Sequence, residues 1–347
     1  MKKLNRVLSL SAAAALALSL TACSGGASGT ADSPAANTSS STESAPAGGA
    51  YTVAIIKQMD HASLDEIADA ITARLDEIAA ENGVTIQYEV TSGQGDQTIL
   101  RQLADQAIAD GVDAIIPIAT TAAQVAAVSA EESQTPVVFA AISYPETADL
   151  TGIDYVTGTS DALDTALILD MMLAQNPQLQ SVGLLYSLSE PNSEVPIADA
   201  KAYLDEKGIA YTEATANTND EVIAAASSLI ASGVDAVFTP TDNIIMAAEL
   251  AIYEDFINAG IPHYTGADSF VRNGAFATCG VNYTDLGSQT ADLAYRAMTE
   301  GMASLEDYYQ VSGGLITVNS ETAEALGIDY SVFDGLGEVA AVTTSEE

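Results

Sequence analysis

Short, mostly apolar runs alternate with longer amphipathic segments along most of the chain, starting at Tyr51. Residues 52–56 (TVAII) have the composition of a strand buried on both faces of a parallel sheet. Residues 63–82 then place apolar side chains at helical spacing before Gly83, which predicts a helix that ends there. Strict alternation of strands and helices predicts an α/β fold with parallel sheets and right-handed crossovers. The same pattern predicts strands at 85–90, 114–118 and 137–141 and helices at 97–110 and 122–131.

The pattern is repeated in the second half of the chain. The segment IADGVDAI at 108–115 is echoed by IASGVDAV at 230–237, an offset of 122 residues, and other echoes occur in the same order. The repeat predicts two doubly wound, parallel-sheet lobes joined by a hinge. Gly158 and Gly280 lie at the expected crossings, where their conformational freedom suits a hinge. The expected boundaries are 51–157 with 282–313 for the first lobe, and 158–281 with 314–347 for the second.

The first fifty residues differ in composition from the rest. A basic start and an apolar run at 8–20, too short to span a bilayer, predict a signal peptide over residues 1–22. The run ends in Leu-Thr-Ala-Cys, similar to the lipobox of bacterial lipoproteins, so Cys23 is the expected attachment site of a diacylglycerol and palmitate anchor. The alternative is an ordinary signal peptide cut after Ala22. Residues 23–50 are almost wholly Ser, Gly, Ala, Thr and Pro, which predicts a flexible tether.

The chain carries 48 acidic residues against 10 basic ones, a formal net charge of −38. Lys2, Lys3 and Arg6 belong to the expected signal peptide, so its removal leaves a charge of −41. A surface this acidic repels phosphate backbones, which argues against nucleic-acid binding. The sequence lacks a nucleophile elbow, a phosphate-binding loop, an HExxH motif and a calcium loop, and it has only two histidines and two cysteines. It therefore predicts neither an enzyme nor a bound cofactor or metal.

Polar side chains follow the predicted strands at their carboxyl ends, where open parallel sheets bind ligands. Helix N-termini in these loops offer free N–H groups to a ligand carboxylate, and Asp242 or Asp268 can hold an ammonium group. His61 and Tyr144 can flank the side chain of the ligand. The candidate binding residues are His61, Asp96, Thr120, Thr121, Tyr144, Ser189, Glu190, Asn192, Ser193, Thr241, Asp242, Asn243 and Asp268.

Helix capping is the alternative role for several of these residues, because aspartate, asparagine and threonine are favoured N-caps. It applies to Asp96, Thr120, Thr121, Asp242 and Asn243, all of which precede predicted helices. His61 and Tyr144 are alternatively loop residues without a binding role.

The loop motifs resemble those of the tryptophan/tyrosine-type substrate-binding lipoproteins of bacterial ABC importers. The similarity covers residues 51 to about 330. One departure is Ser143-Tyr144-Pro145, where the family usually has a Thr-Asp-Pro-like turn, so an aromatic hydroxyl replaces an aspartate. The matching motifs are DHASLD at 60–65, QGD at 94–96, ATTAAQ at 119–124, PVVF at 136–139, SEPNS at 189–193, PTDN at 240–243, DLGSQT at 285–290 and EALGI at 324–328.

This resemblance implies a type I periplasmic-binding-protein fold that binds an amino-acid-like, aromatic ligand between its lobes. It further implies a monomer outside the cytoplasm, held to the membrane by its lipid anchor, which delivers the ligand to an ABC permease and its ATPase. The alternatives are a ligand-sensing lipoprotein and a sugar- or nucleoside-binding relative. Sugar sites commonly stack rings on aromatic side chains, and this chain has no tryptophan and six phenylalanines, which disfavours that relative.

Overall fold

A computed structural model describes residues 48–345 of the chain. The elements are numbered along the sequence. The strands are β1 (Ala50–Lys57), β2 (Thr85–Ser92), β3 (Ala114–Ile118), β4 (Val137–Phe139), β5 (Val156–Ser160), β6 (Ser181–Tyr186), β7 (Ala210–Thr215), β8 (Ala236–Thr239), β9 (His263–Thr265), β10 (Ala277–Val281), β11 (Tyr309–Gln310), β12 (Gly313–Asn319) and β13 (Val339–Val342). The α-helices are α1 (Ala62–Asn82), α2 (Gln97–Asp110), α3 (Thr120–Ser129), α4 (Thr165–Gln175), α5 (Glu194–Lys207), α6 (Asn219–Ser232), α7 (Asn243–Met246), α8 (Tyr253–Ala259), α9 (Asp268–Arg272), α10 (Tyr283–Glu300) and α11 (Ser320–Leu326).

Two sheets confirm the predicted α/β architecture with two lobes. The first sheet has the order β2-β1-β3-β4-β5-β11 and is parallel throughout. The second has the order β7-β6-β8-β9-β10-β12-β13 and is parallel except for the antiparallel pair β10 and β12. The chain re-enters the second lobe at the end of the sheet where β10 finishes, so β12 has to run back along it. This antiparallel pair is a departure from the expected all-parallel sheets.

The internal repeat gives both lobes the same local construction. Asp113 and Asp235 are equivalent in the repeat, and each accepts hydrogen bonds at the start of the neighbouring first strand of its lobe. Asp113 Oδ2 accepts from the backbone N–H of Thr52 at 2.7 Å, and Asp235 Oδ2 accepts from that of Ser181 at 2.9 Å. These aspartates fix where the first strand of each lobe begins beside the third.

The chain crosses between the lobes three times, at 161–164, at Asn282 and at 311–312. The first crossing follows Ser160, not residue 157 as expected, because β5 stays paired with β4 and β11 in the first sheet. Gly158 therefore lies within a strand, and a Cβ there would lie 2.2 Å from Cδ2 of Phe139. Close packing, and not a hinge, explains this glycine.

Helices α1 and α10 pack closely in the first lobe. At Gly287 of α10, a Cβ would lie 2.6 Å from the Cβ of Ala70 and 2.7 Å from the carbonyl oxygen of Ile67, both on α1. A side chain at 287 would therefore separate the two helices. Further along, Arg74 Nε lies 2.9 Å from Asp292 Oδ1 across the same pair of helices.

The expected signal peptide at 1–22 and Cys23 lie outside the described residues, as does the expected tether except for its last three residues. Ala50, the last residue of that tether, is already the first residue of β1. Across residues 48–345, no helix combines the length and the apolar character needed to cross a bilayer.

Candidate ligand-binding site

A small, partly open cavity lies between the lobes at the carboxyl ends of strands from both sheets. Its volume is about 20 Å³, enough for a water molecule and far less than an amino acid occupies. A ligand as large as an amino acid can therefore enter only if the lobes separate. The lining residues are Leu64, Ala119, Thr120, Ala141, Ser143, Asp161, Asn192, Thr241, Asn243 and Tyr283.

Asp161 places a carboxylate in this cavity. It follows β5, is 4% exposed, and accepts hydrogen bonds from Ser143 Oγ at 2.8 Å and from the Tyr283 hydroxyl at 3.1 Å. Burial raises the pKa of Asp161, and no lysine, arginine or histidine lines the cavity. The carboxylate is thus held by two neutral hydroxyls and no cation of the lining.

Asn192 contributes an open acceptor from the second lobe. Its Nδ2 donates to the carbonyl oxygen of Thr241 at 2.6 Å, which points Oδ1 away as an acceptor. That Oδ1 is buried and has no hydrogen-bond partner among residues 48–345. Thr241 Oγ1 also lies 3.2 Å from Ser143 Oγ of the first lobe, so the two lobes meet at this point.

The N-termini of α1 and α3 reach the same cavity without a side-chain cap. The N-cap residues are His61 and Ala119, and neither side chain accepts a bond from its helix. Ala119 has a φ of 76°, a left-handed conformation that is uncommon for alanine. Leu64 and Thr120, in the first turns of these helices, line the cavity. The dipoles of these two helices favour a negatively charged group here.

A hydrogen-bond network beside the cavity joins the lobes through Glu190. Gln58 Nε2 of the first lobe donates to Glu190 Oε1 at 2.7 Å, and Asn243 Nδ2 donates to Oε2 at 2.6 Å. The backbone N–H of Thr121 donates to Gln58 Oε1 at 3.0 Å. Because the Asn243 amide nitrogen faces Glu190, its Oδ1 accepts from His61 Nε2 at 3.0 Å.

Burial perturbs both titratable members of this network. Burial, followed by the nearby charge of Asp242, raises the pKa of Glu190 to about 8. Burial also lowers the pKa of His61 to about 4, so its imidazole is neutral near pH 7. The network thus places a carboxyl that titrates near neutrality on the contact surface between the lobes.

Asp242 and Asp268, the expected ammonium ligands, have other partners. Asp242 is fully buried; its Oδ1 caps α7, and its Oδ2 accepts from the Ser187 backbone N–H and from Ser193 Oγ, both at 2.7 Å. Asp268 Oδ2 accepts from Arg272 at 2.6 Å, and this arginine also pairs with Glu66 of the first lobe. The structure therefore places neither carboxylate in the lining of the cavity.

The remaining candidate binding residues lie in different parts of the structure. Thr120, Asn192, Thr241 and Asn243 line the cavity, while Thr121, Glu190 and His61 belong to the adjoining network. Ser189 and Ser193 lie in the loop after β6, where Ser189 Oγ is 2.8 Å from Ser187 Oγ.

Asp96 is exposed and caps α2 through the N–H groups of Thr98 and Ile99, so its capping role is confirmed. Tyr144 is partly buried outside the cavity; its hydroxyl lies 3.5 Å from the carbonyl oxygen of Leu163, and burial raises its pKa to about 12.

Sequence reasoning missed Gln58, Asp161 and Tyr283. Gln58 directly follows β1, and Asp161 directly follows β5. Their positions at carboxyl ends of strands were the available signal, but residues 161–174 also have the sequence pattern of a helix, which hid Asp161 in an apparent first turn. The observed α4 begins only at Thr165, because Asp164 caps it through the N–H of Leu167.

Comparison with known proteins gives this fold and site a family. Residues 52–333 match the model of the ABC transporter substrate binding protein family. A tyrosine-binding protein of Clostridioides difficile (strain R20291) is 26% identical over 342 residues, which cover 97% of this chain and 96% of that protein. The structure of an ABC domain in complex with L-Trp from Streptococcus pneumonia is 27% identical, with a TM-score of 0.76 over 84% of this chain and 99% of that one.

Other solved structures agree on the fold. A ligand-free, open substrate-binding protein with adhesive properties from Clostridium difficile is 25% identical, with a TM-score of 0.64 over 85% of this chain and all of that one. An ABC solute-binding protein from Bacillus halodurans, at 15% identity and a TM-score of 0.62, shares the two-lobed periplasmic-binding-protein fold. The chain belongs to the ABC transporter substrate-binding proteins, which are extracytoplasmic, non-enzymatic components of transport systems.

Proposed function

We propose that this protein captures an amino acid with an aromatic side chain between its lobes and delivers it to an ABC permease and its ATPase. The observation that carries the proposal is the small cavity between the lobes, which is lined by polar groups from both of them. A site divided in this way is complete only when the lobes close, so ligand binding and lobe closure are coupled.

The cavity also has features that suit an amino acid in particular. The uncapped N-termini of α1 and α3 attract a carboxylate. Ala119 and Ala141 are small, and Leu64 and Tyr283 add apolar surface, so an opened cleft has room and contacts for an aromatic ring. The L-Trp complex and the tyrosine-binding relative support this choice of ligand.

The membrane anchor is part of the same proposal. Lipid attached to Cys23 would hold the protein at the outer side of the cytoplasmic membrane, within reach of a permease. Mass spectrometry of the protein from its own cells tests this point. The expected mass is that of a chain beginning at a lipidated Cys23, and an unmodified N-terminus contradicts the anchor.

A thermal-shift panel of the amino acids, nucleosides and sugars tests the ligand class. A ligand that binds the folded state raises the unfolding midpoint by mass action, and we expect the largest rise with tryptophan or tyrosine. The chain contains no tryptophan, so fluorescence of bound tryptophan can be followed without a protein background. A rise with a sugar or nucleoside, and with no amino acid, contradicts the proposed ligand.

Delivery is tested separately from binding. Deleting the gene should reduce uptake of the labelled amino acid by the cells, and re-expressing the protein should restore it. Unchanged uptake in the deletion strain, together with tight binding in the thermal-shift panel, would favour a ligand sensor over an importer component.

A further inference from the structure

Two buried acceptors in the cavity have no cationic partner among residues 48–345. Asp161 is 4% exposed, and the side chains that donate to its carboxylate are the neutral hydroxyls of Ser143 and Tyr283. Asn192 is 7% exposed, and its Oδ1 receives no hydrogen bond. A buried carboxylate without a counter-charge and a buried carbonyl without a donor are both unfavourable. Together they describe a place in the cavity that suits a positively charged group with several N–H donors.

The two acceptors belong to different parts of the molecule. Asp161 begins the first crossing, directly after β5, and Asn192 lies in the loop after β6 of the second lobe. Rotating the Asn192 amide by half a turn would break a hydrogen bond, because its Nδ2 donates to the Thr241 carbonyl oxygen at 2.6 Å. Its Oδ1 is therefore fixed as an acceptor in the cavity that Asp161 also lines.

We propose that Asp161 and Asn192 form the ammonium subsite of the cavity, so that a free, protonated amino group is required of the ligand. This inference rests on the proposed function, since it assigns the amino end of a ligand that binds in the same cavity. An ammonium group has three donors, enough to bond a carboxylate and an amide oxygen at the same time, and both residues line the same small cavity. Amino acids fit this requirement, whereas their N-acetylated, α-keto and des-amino counterparts lack the charge.

The subsite also gives the ligand two oppositely charged surroundings. Asp161 supplies negative charge, while the N-termini of α1 and α3, whose own N-cap side chains make no cap bond, supply partial positive charge through the helix dipole. A zwitterionic head group laid between them satisfies both, and neither a sugar nor a simple carboxylic acid does. Selection against analogues without an ammonium group then arises from leaving Asp161 buried without a cation.

Isothermal titration with matched ligand pairs tests the assignment. The pairs are L-tryptophan with indole-3-propionic acid and L-tyrosine with 3-(4-hydroxyphenyl)propionic acid, which differ by the amino group. We expect the wild-type protein to prefer the better amino acid over its des-amino analogue by at least about 100-fold. Asp161→Asn should weaken amino-acid binding by about 100-fold and leave binding of the analogue unchanged or tighter, because the buried negative charge is gone.

A matched control separates recognition from a structural effect at the crossing. Asp164 lies three residues further along the same crossing, is exposed, and caps α4 by accepting from the Leu167 N–H at 3.0 Å. Asp164→Asn should retain the selectivity of the wild type. Asn192→Leu should reduce the preference for the amino acid by about tenfold, since a single neutral acceptor is lost.

The outcomes are distinct for the two proposals. If the wild type binds an aromatic amino acid and its des-amino analogue equally, or if Asp161→Asn weakens both alike with a normal melting transition, the ammonium subsite is wrong and the proposed function stands. If the wild type binds no amino acid and binds an uncharged sugar instead, both proposals are wrong. Loss of amino-acid preference in Asp161→Asn alone supports the subsite.

Discussion

Because Glu190 lies between the lobes, we expect its ionisation to lower the affinity for ligand as pH rises from about 6 to 8. In the closed arrangement one oxygen accepts from Gln58 of the first lobe and the other from Asn243 of the second. Burial and the charge of Asp242 raise the pKa of Glu190 to about 8. Ligand exchange requires the lobes to separate, which breaks the Gln58 contact and returns the carboxyl toward the ordinary glutamate pKa of about 4.3.

The direction follows from the sign of this difference. Because the pKa of Glu190 is higher in the closed form, closure takes up a proton. The contribution to closure is complete below the open-state pKa and is lost as pH rises through the closed-state pKa. With pKa values of roughly 4.3 and about 8, the Kd should rise about 20-fold between roughly pH 6.0 and 7.5 and level off above about pH 8.

The other titratable groups near Glu190 do not produce the same pH dependence between about pH 6 and 8. His61, joined to Glu190 through Asn243, stays neutral because burial lowers its pKa to about 4. Asp242 is fully buried beside Glu190, and burial raises its pKa as well. Burial also raises the pKa of Asp161, whose protonation would weaken ammonium binding at the acidic end. As pH rises, ionisation of Glu190 therefore weakens ligand binding, whereas ionisation of Asp161 strengthens it. The rise in Kd toward alkaline pH, the alkaline limb of the profile, is due to Glu190.

Fluorescence titrations with tryptophan from pH 6 to 8 measure this limb. Glu190→Gln keeps the size of the side chain and removes the titration, so its Kd should be constant across the range. Glu132→Gln, at an exposed position, is the control and should retain the wild-type slope. A pH-independent Kd in the wild type, or an equal slope in Glu190→Gln, would refute the reasoning.

Two further predictions concern packing and the outer contact between the lobes. Gly158→Ala should lower the free energy of unfolding by about 1–3 kcal/mol in urea melts, because its Cβ would lie 2.2 Å from Phe139 Cδ2; Gly335→Ala, with no atom within 4 Å, should be nearly neutral. Glu66→Gln removes the ion pair with Arg272 across the lobes and should speed ligand release up to about fivefold in stopped-flow measurements. High salt should speed release in the wild type more than in this variant, and equal salt responses would contradict the role of the pair.

The sequence predicted the architecture well because strand and helix periodicity is local. Helix α2 has the predicted bounds of 97–110, and the repeat at 108–115 and 230–237 anticipated two lobes, whose first five strands have the same order in both sheets. The antiparallel β12 was not predictable in this way. Its direction depends on where the third crossing delivers the chain, which no local pattern encodes.

The site was predicted less completely because the roles of polar side chains depend on distant partners. Asp242 looked available for a ligand, but its Oδ2 is bound by Ser187 and Ser193, 55 and 49 residues away in the sequence. Asp161 looked like the first turn of a helix, because the apolar pattern after it does not show that Asp164 sets the start of α4. Loop position identified the correct edge of both sheets, and tertiary contacts decided which side chains face the cavity.

The close packing at Gly287 has a mechanical consequence for closure. Helix α10 begins directly after the Asn282 crossing, and its backbone lies against α1, whose first turns carry Ser63 and Glu66 to partners in the second lobe. With no side chain between them at Gly287, we expect the two helices to move together when the lobes separate. A rotation at the Asn282 crossing should therefore also move the contacts that Ser63 and Glu66 make with the second lobe. Gly287→Leu would separate α10 from α1 and weaken this coupling between the crossing and the contacts that hold the lobes together.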